Sequence, residues 1–516
     1  MVASVAYVKW QLWRAAILSF LQTLRCRPKI HHQHYASTSK MNLSNNKLYS
    51  WQDCSTFDIK TIQAIYSEYV SKSQVDLISS FGFGRTNMVR AEGMYIYTGD
   101  GKKILDFTGG IGVLNHGHNH PRILAARYQY QQANKPEIHK NFLSQYIAGL
   151  SHNIAQLLPE DLNISYFCNS GAEAVEGAVK LAYKYHDSTR KFILHSDISF
   201  HGKSLGSAGL TGSPELHYKF PTIPNIGAFA YNDIESVKEQ VAKYRQKNGE
   251  SDIYAIILEP LNGSSLRECT TDFLQKLRDI CTQENIVLIF DEIYTGWAKT
   301  GVLFYFMHHN VIPDIVTYAK SFGGGKSSIS GYTTRIPFFQ KAYDNLNDAT
   351  LHSTTYNGFG EECITAIEAI NVIIEEDFVS KAQKIYTKLN GGLQQLQEKY
   401  PDLIKEVRGR GALNGILLND EMNTALKTAI HFIPSDFLKE PRFFAKLVTS
   451  AVISELYNTH NILTFFGSNQ EIPLVISPSL IATDEDLDYF LTALDKTLAQ
   501  GKYKLILKFA KFKFMR

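Results

Sequence analysis

Two apolar runs, each followed closely by a charged side chain, constrain the fold of this chain more than any other feature. In IVLIFDEIYTGW, Asp291 follows the run Ile286 to Phe290, and in DIVTYAKSFGGGK, Lys320 follows the run Ile315 to Tyr318. Short apolar runs of this kind predict fully buried strands of a parallel sheet. Residues just past the ends of such strands line a ligand crevice, so we expect a carboxylate and an amine to meet there.

A lysine facing a carboxylate suits pyridoxal phosphate, which needs an amine for a Schiff base and an acid opposite its pyridine nitrogen. Asp291 would keep that nitrogen protonated, because an opposite charge favours the ionised partner; the alternative is a helix cap after a strand. Lys320 would form the imine and later act as the general base for a 1,3-proton shift. Lys326 competes for this role but lies beyond three glycines, further from the strand end.

The segment YFCNSGAEAVEGAVKLAYKY is typical of a strand, a turn of small residues and a helix. Ser170, Gly171 and Ala172 fall where the N-terminus of the helix leaves amide groups unpaired, a position that favours phosphate. Taken alone, the pattern is also that of an ordinary serine-capped helix. Together with Asp291 and Lys320, it predicts the phosphate-binding part of the site.

Aromatic and histidine-rich segments have competing interpretations. Phe200, in ISFHGKS after a predicted strand, is either a ring that stacks on a planar ligand or an ordinary core residue. Its neighbour His201 is either a structural hydrogen-bonding group or a support for a functional residue. The run HGHNHP could in principle bind zinc through His116, His118 and His120, but acidic partners are lacking nearby, and we predict no metal site.

The order of apolar and polar segments predicts an α/β fold whose central sheet is mainly parallel, with helices on both faces. The strands are expected at Ile164 to Phe167, Phe192 to His195, Tyr254 to Leu258, Ile286 to Phe290 and Ile315 to Tyr318. Helices are expected near 172–186, 271–284, 361–375 and 379–399. A hairpin is expected in MYIYTGDGKKILDFTGG, because Gly99-Asp100-Gly101 is a strong turn signal between two β-rich runs.

With 516 residues, the chain can hold two domains with full cores. The expected divisions are a leader at 1–52, an N-terminal segment at 53–125, a large cofactor-binding domain at 126–378, a small C-terminal domain at 379–500 and a basic tail at 501–516. The small domain is expected to be α+β and to be joined by the N-terminal hairpin. The tail YKLILKFAKFKFMR is predicted to be a surface or disordered end and not a membrane anchor.

Composition argues against several classes of protein. The net charge of +3 does not point to nucleic acid as a partner. No run reaches the roughly 20 apolar residues that a membrane span needs. The 6 cysteines are scattered without a CxxC pair, which fits free thiols in a reducing compartment better than disulfides or a metal site.

The N-terminal leader contains no acidic residue before Asp53 but several lysines and arginines. An acid-free, basic, amphipathic leader is typical of a mitochondrial transit peptide, so we expect a mitochondrial protein, and otherwise a cytoplasmic one. A secretory signal fits less well, because the apolar run Ala15 to Leu21 is short. Two alternatives stay open: a spurious extension with Met41 as the true start, or another targeting signal.

Together, these motifs make the chain resemble the class III (ω-amino acid type) aminotransferases, which are pyridoxal-phosphate enzymes of fold type I. The resemblance extends from Phe81 to about Phe490, and its motifs occur in the family's order: LDFTGGIGVLNHGHNHP, NSGAEAVEGAVKLA, FHGKSLG, ILEPLNG, DEIYTGWAKTG, DIVTYAKSFGGG, HSTTYNG and VRGRGALNGI. It implies transfer of an amino group between an amine or amino acid and an oxo acid. It also implies a homodimer with shared active sites.

Residue by residue, the resemblance assigns cofactor contacts to Lys320, Asp291, Ser170, Gly171, Ala172, Phe200, Tyr294 and Thr355. Phe200 resembles the aromatic residue that stacks on the cofactor ring, and Thr355 the threonine that reaches the phosphate from the other subunit. Tyr294 departs from the family pattern, which has glutamine near the phenolic oxygen of the cofactor. A tyrosine hydroxyl could replace that contact.

Two further departures concern the substrate. Ser264 and Val475 stand where the relatives that use glutamate have an acid and the arginine that binds the α-carboxylate. We therefore expect glutamate to be a poor amino donor, unless another arginine binds its carboxylate. The candidates for that role are Arg267, Arg85 and Arg410.

The same cofactor residues leave the reaction class open. Lys320 and Asp291 would serve equally in a pyridoxal-phosphate-dependent lyase, racemase or mutase of the same fold, which is the alternative to an aminotransferase. A cofactor-binding protein without turnover is disfavoured, because the lysine is present. Only an aminotransferase accumulates the amine form of its cofactor with one substrate alone.

Overall fold

The computed structural model describes residues 48–137, 141–212, 222–421, 442–467 and 469–514. The predicted transit peptide therefore lies almost entirely outside the described residues. Within those ranges, fifteen strands, numbered β1 to β15 in chain order, form three sheets. No helix in the same ranges is long and apolar enough to cross a membrane.

A seven-stranded sheet forms the centre of the protein. Its strands are β4 (Leu162–Cys168), β5 (Phe192–Ser196), β6 (Ile226–Phe229), β7 (Ile253–Leu258), β8 (Val287–Asp291), β9 (Ile315–Tyr318) and β10 (Ser330–Arg335). Their order is β4-β10-β9-β8-β7-β5-β6, and the pairings from β6 to β9 are all parallel. Only β10 runs antiparallel to its neighbours. The predicted α/β fold with a mainly parallel sheet is confirmed.

Both faces of this sheet are buried, as a parallel sheet requires. Successive side chains of a strand point to opposite faces. In β8, Leu288 and Phe290 accordingly belong to one hydrophobic cluster, and Val287 and Ile289 to another. The alternation explains why the sequence of β8 is apolar throughout and not at every second position.

Strand β10 was not predicted, because its sequence SGYTTR is mostly polar although the strand is buried. Its hydroxyl groups have partners on neighbouring segments, and those of Ser330 and Thr334 donate to the backbone carbonyls of Ser170 and Asp314. The hydroxyl of Thr333 lies 2.8 Å from that of Ser165 and 3.0 Å from that of Tyr318. Buried hydroxyls with partners of this kind carry little desolvation penalty, so a polar strand can lie inside the sheet.

Helices surround the sheet and fill the flanking segments. Those between residues 100 and 377 are Gly109–Gly112, Pro121–Gln132, Gln145–Leu157, Gly171–Tyr185, Leu205–Gly209, Ile234–Lys243, Thr271–Gln283, Ile336–Tyr343 and Gly360–Glu375. The others are Trp51–Ser55, Ile59–Tyr66, Lys72–Ser80, Phe378–Lys399, Phe443–His460, Asp484–Leu498 and Lys502–Phe514. The four predicted helices are present, each within two residues of its expected ends.

Two smaller sheets flank the centre. The first contains β1 (Met88–Glu92), β2 (Tyr95–Thr98), β3 (Lys103–Asp106) and β13 (Ile462–Leu463). The second contains β11 (Ile404–Arg410), β12 (Leu413–Leu418), β14 (Phe465–Phe466) and β15 (Leu474–Ile476). The predicted hairpin is β2 with β3, and β13 pairs parallel to β3, which joins the N-terminal segment to the C-terminal part of the chain.

The basic C-terminal segment is a helix, Lys502–Phe514, that lies on the surface with Tyr503 and Leu507 exposed, so of the two expected forms of this end the structure has the surface one. Leu505 and Phe509 on this helix are buried. Lys508 donates a hydrogen bond of 2.8 Å to the carboxylate of Glu455. Apolar residues four positions apart share one face of a helix, so the segment packs that face inward despite its positive charge.

Candidate active site

The predicted carboxylate and amine lie at the same edge of the central sheet. Asp291 is the last residue of β8 and pairs with Thr317 of β9. Lys320 begins a turn of 3-10 helix, Lys320–Gly323, shortly after β9 ends. Because the two strands are adjacent and parallel, their carboxyl ends bring both side chains to one crevice, as the sequence predicts.

The carboxylate of Asp291 is oriented by two contacts. Its Oδ2 lies 2.7 Å from Nδ1 of His201, and both side chains are almost fully buried. Its Oδ1 accepts a hydrogen bond of 3.1 Å from the backbone N–H of Ile293. His201 is therefore a support for Asp291, which decides between the two interpretations of that histidine.

Glu259 lies among the residues of this crevice, although the sequence pattern assigned it no role. It directly follows β7, the strand beside β8, and its carboxylate accepts hydrogen bonds from three groups. These are the backbone N–H of Phe200 at 2.7 Å, the side-chain amide of Asn262 at 2.5 Å and the backbone N–H of Gly263 at 3.2 Å. Burial raises the pKa of Glu259. A charged residue directly after a buried strand is the signal that identified Asp291, and it would have identified Glu259 as well.

Lys320 combines a buried amine with an unusual backbone. Burial lowers the pKa of the Lys320 amine to about 8, although Glu259 and Asp291 raise it. The residue has a φ of +50°, which is uncommon outside glycine and occurs preferentially at functional sites. Its Nζ lies 3.4 Å from the centroid of the Tyr294 ring. A lowered pKa leaves more of the amine neutral near physiological pH, and the neutral form is the nucleophile.

Tyr294 occupies a slot that two glycines leave open. A Cβ on Gly112 would overlap Cε2 of the Tyr294 ring, and a Cβ on Gly263 would overlap its Cδ1. Gly112 also has a φ of +82°, in the left-handed region. We call the surrounding hydrophobic group the Tyr294 cluster, and its buried members are Leu261, Leu266, Tyr294, Tyr305, Leu413 and Val475.

The predicted phosphate site, which we call the phosphate turn (residues 170–172), is the start of helix Gly171–Tyr185. The side chain of Ser170 accepts a hydrogen bond from the N–H of Glu173, and the Glu173 carboxylate accepts from the N–H groups of Ser170 and Asn169. This capping box leaves the N–H groups at positions 171 and 172 for an anion. The residues thus fit a phosphate at the positive end of the helix dipole.

Phe200 lies on the loop after β5, beside the ends of β7 and β8. Its N–H is bonded to Glu259, and its side chain is 36% exposed. A partly exposed aromatic ring on an anchored backbone fits stacking on a planar ligand better than an ordinary core role.

On a neighbouring segment, Gly171 lets Ile293 approach closely, since a Cβ there would lie 2.8 Å from Cδ1 of that isoleucine.

A second buried lysine lies near the first. Lys299 is fully buried, and its Nζ donates a hydrogen bond of 2.8 Å to the carbonyl of Pro478. Burial lowers the pKa of Lys299 to about 7, and the charge of Lys320 contributes to the same shift. The sequence around it, TGWAKTG, resembles an ordinary loop and carries no sign that the lysine is buried.

The remaining candidates lie apart from this crevice. Thr355 is exposed on the loop between helices Ile336–Tyr343 and Gly360–Glu375. Lys326 donates a hydrogen bond to the side-chain oxygen of Asn119, so its amine is engaged elsewhere.

The three histidines of HGHNHP each have a different partner. Nε2 of His116 lies 2.9 Å from the carbonyl of Ala369, and Nε2 of His118 lies 3.0 Å from the carboxylate of Asp106. His120 pairs with a glutamate of the helical region that follows residue 360. Among the described residues, no group of His, Cys, Asp and Glu side chains is arranged to hold a metal ion.

A mainly parallel seven-stranded sheet that carries a lysine, a carboxylate and a helix N-terminus at one edge defines the pyridoxal-phosphate-dependent transferases of fold type I. The chain belongs to the class III aminotransferase family, because the family model described as aminotransferase class-III matches residues 82–498. This family uses pyridoxal 5′-phosphate to transfer amino groups. The predicted family, activity and cofactor are thereby confirmed.

Solved structures of transaminases are similar to this chain in fold. A transaminase from the marine bacterium Virgibacillus has a TM-score of 0.74 at 21% identity, and the match covers 86% of this chain and 100% of that chain. Ornithine aminotransferase from Toxoplasma gondii ME49 has a TM-score of 0.72 at 22% identity, with 90% and 100% covered. Taurine:2-oxoglutarate aminotransferase from Bifidobacterium kashiwanohense, in complex with PLP and glutamate, has a TM-score of 0.72 at 21% identity, with 87% and 99% covered. At these identities the likeness establishes the fold and not the substrate.

Proposed function

We propose that this aminotransferase takes its amino group from a donor with no carboxylate at the Val475 side of the crevice, and that L-glutamate is a poor donor. The observation that carries the proposal is the environment of Val475. Its side chain is fully buried in the Tyr294 cluster, at the position of the arginine in glutamate-using relatives. A carboxylate entering there would lose its hydration and gain no bidentate hydrogen bonds.

Two arginines that could replace the missing one already have carboxylate partners. Nε and Nη2 of Arg267 donate to Glu471 at 3.0 and 3.1 Å. Arg410 pairs with Glu268, with its Nε at 3.0 Å and its Nη2 at 2.9 Å. Recruiting either arginine to a substrate would break a paired contact, which supports a donor that does not need one.

The crevice residues have distinct roles in this proposal. Lys320 would hold the cofactor covalently, and Asp291, oriented by His201, would keep its pyridine nitrogen protonated. The phosphate turn would hold the phosphate of the cofactor, and Phe200 would stack on its ring. When bound, pyridoxal phosphate supplies the electron sink for the substrate carbon. The amine of Lys320 would move the proton of the substrate, and its pKa of about 8 suits that role.

The test is a single-turnover comparison of donors. L-glutamate, L-alanine and a series of terminal amines are mixed with the cofactor-loaded protein, and conversion of the cofactor is followed by absorbance. We expect the best terminal amine to react about a hundredfold faster than glutamate, which corresponds to a few kcal/mol of missing contacts. Fast conversion by glutamate that is abolished in Arg410→Ala or Arg267→Ala would overturn the proposal and identify the replacement arginine.

A matched pair of variants tests the pocket itself. Val475→Arg combined with Ser264→Glu would install the charged pair of the family. The single-turnover rate with glutamate should then rise relative to the rates with the terminal amines. Val475→Leu keeps the apolar surface and serves as the control, in which the order of donors should not change. If glutamate gains equally in both variants, the side chain at 475 does not select the donor.

We also propose a homodimer with shared active sites. Phe142, Leu143 and Tyr356 are exposed apolar residues, and the first two line a cleft of about 580 Å³ together with His352. Exposed apolar side chains around one cleft favour a protein partner. Thr355, on the same loop as Tyr356, is exposed and available to a second subunit.

Subunit mixing tests the shared site. Lys320→Ala and Thr355→Val subunits should each be inactive alone. In a mixed dimer one site would carry both lesions and the other neither, so activity should recover to a fraction of the wild-type value. Absence of recovery despite proven subunit exchange would mean that each site is built from one chain, or that Thr355 is dispensable.

We further propose that the protein is imported into mitochondria, because residues 1–52 are basic and contain no acidic side chain. A fusion of residues 1–52 to a fluorescent protein should be imported and shortened. The same fusion with Arg14, Arg25 and Arg27 changed to alanine is the control. Import of neither fusion would leave Met41 as the better candidate for the start.

A further inference from the structure

The residue that contacts the amine of Lys320 is of a different type from the residue found at this position in the family pattern. Tyr294 stands at the position of a glutamine whose side chain is expected near the phenolic oxygen of the cofactor. In this protein the ring face, and not a polar tip, is turned to the lysine, with Nζ of Lys320 3.4 Å from the ring centroid. A cation at this distance over an aromatic face is attracted by the negative charge density of the ring.

The slot around Tyr294 holds the ring in this orientation. Gly112 and Gly263 come from separate segments, and a side chain at either position would overlap the ring. The ring also packs against the other members of the Tyr294 cluster. The tyrosine is 9% exposed, so water competes little with the ring for the amine. A desolvated cation–π pair is stronger than an exposed one.

We infer that the ring face of Tyr294 stabilises the charged form of the Lys320 amine, and that Tyr294 acts on the lysine through its ring and not through its hydroxyl. The inference rests on the assignment of Lys320 as the cofactor lysine, but it does not depend on the identity of the amino donor. It gives Tyr294 a role that glutamine, with no aromatic face, cannot perform.

The ring is one of several groups that act on the charge of the Lys320 amine. Burial disfavours the charged amine of Lys320 and lowers its pKa. Glu259 after β7 and Asp291 at the end of β8 favour the charged amine. The ring adds a favourable contact to the charged amine without adding a negative charge to the crevice.

The experiment measures the proton equilibrium of Lys320 in the cofactor-free protein. Lysines are trace-labelled with acetic anhydride over a pH series, and the label on each peptide is quantified by mass spectrometry. Removal of the ring in Tyr294→Leu or Tyr294→Gln should lower the midpoint of Lys320 labelling by about one pH unit. Tyr294→Phe, which keeps the ring and loses only the hydroxyl, should retain the wild-type midpoint. Lys326 is the internal control and should label identically in every variant.

A second set of variants, in which the residue at position 294 keeps nearly the same size, tests the inference even if Tyr294→Leu or Tyr294→Gln disturbs folding. Phenylalanines bearing increasing numbers of fluorine atoms are introduced at position 294, since fluorine withdraws charge from the ring face and leaves its volume nearly unchanged. The Lys320 midpoint should fall stepwise with fluorine number. A wild-type midpoint throughout this series would overturn the inference. So would an equal fall in Tyr294→Phe and Tyr294→Leu, because the hydroxyl would then be responsible. Donor preference has no influence on either measurement.

Discussion

Gly112 and Gly101 have the same backbone φ of +82° but different surroundings. A Cβ at Gly101 would meet nothing within 4 Å, whereas a Cβ at Gly112 would overlap the ring of Tyr294. Alanine at either position therefore introduces the same backbone strain, and only alanine at Gly112 introduces a steric conflict. The two substitutions form a matched pair that isolates the contact between Gly112 and Tyr294.

The expected losses in the free energy of unfolding follow from the backbone strain and the steric conflict. A residue with a side chain in the left-handed region costs about 1–2 kcal/mol, which both variants share. Overpacking of a well-filled core costs a further 1–3 kcal/mol or so, which only Gly112→Ala incurs. We therefore expect Gly101→Ala to lower the free energy of unfolding by about 1–2 kcal/mol and Gly112→Ala by about 2–5 kcal/mol.

Denaturant unfolding of the cofactor-free variants, followed by circular dichroism, measures both values. The double variant Gly112→Ala with Tyr294→Ala supplies the coupling when it is compared with Tyr294→Ala alone, because without the ring the change at Gly112 should cost only the backbone strain of about 1–2 kcal/mol. Equal losses in Gly112→Ala and Gly101→Ala would refute the reasoning, since the ring would then not depend on the glycine. The same result would remove the structural basis for the orientation of Tyr294 toward Lys320.

Three further outcomes are expected at the cofactor site. Lys320→Ala should fold but lose covalent attachment of the cofactor after borohydride reduction, and Lys326→Ala should keep it; label on Lys326 in the wild type, found by peptide mapping, would contradict the assignment. Asp291→Asn should bind the cofactor at least about tenfold more weakly in equilibrium dialysis, because an ionic hydrogen bond worth about 1.5–3 kcal/mol is lost; unchanged affinity would argue against its role. Attachment of the cofactor should accelerate as pH rises, with a midpoint near 8, because only the neutral amine reacts and burial lowers the pKa of Lys320 to about 8. A stopped-flow profile with the midpoint of an ordinary exposed lysine would contradict the burial of this amine.

Much of the fold could be predicted because its signals are local in the sequence. The buried strands β7, β8 and β9 are continuous apolar runs, and the hydrophobic effect makes such runs the interior of the sheet wherever they occur. The position of Asp291 and Lys320 at one edge then follows from the parallel direction of two neighbouring strands. The phosphate turn is equally local, since a serine cap and a helix start lie within a few residues of each other.

Other features depend on residues that are distant in the sequence. The pairing of His201 with Asp291 and the three bonds to Glu259 join separate strand ends, and no periodicity in either segment predicts which partner each will meet. Polar strand β10 can be buried because neighbouring segments supply hydroxyl and carbonyl partners for its hydroxyl groups. The sequence identified Tyr294 as a departure from the family pattern, but it did not predict which part of the tyrosine side chain faces Lys320.

The sequence by itself determined the class of sheet, the placement of Lys320 and Asp291 at one edge of it, and the family to which the chain belongs. Each of these follows from a short segment whose burial or conformation is a property of its own residues. Tertiary structure alone decided that the ring of Tyr294, and not its hydroxyl, faces Lys320. The physical reason is that the space for the ring exists only where Gly112 and Gly263, from two separate segments, come together without side chains.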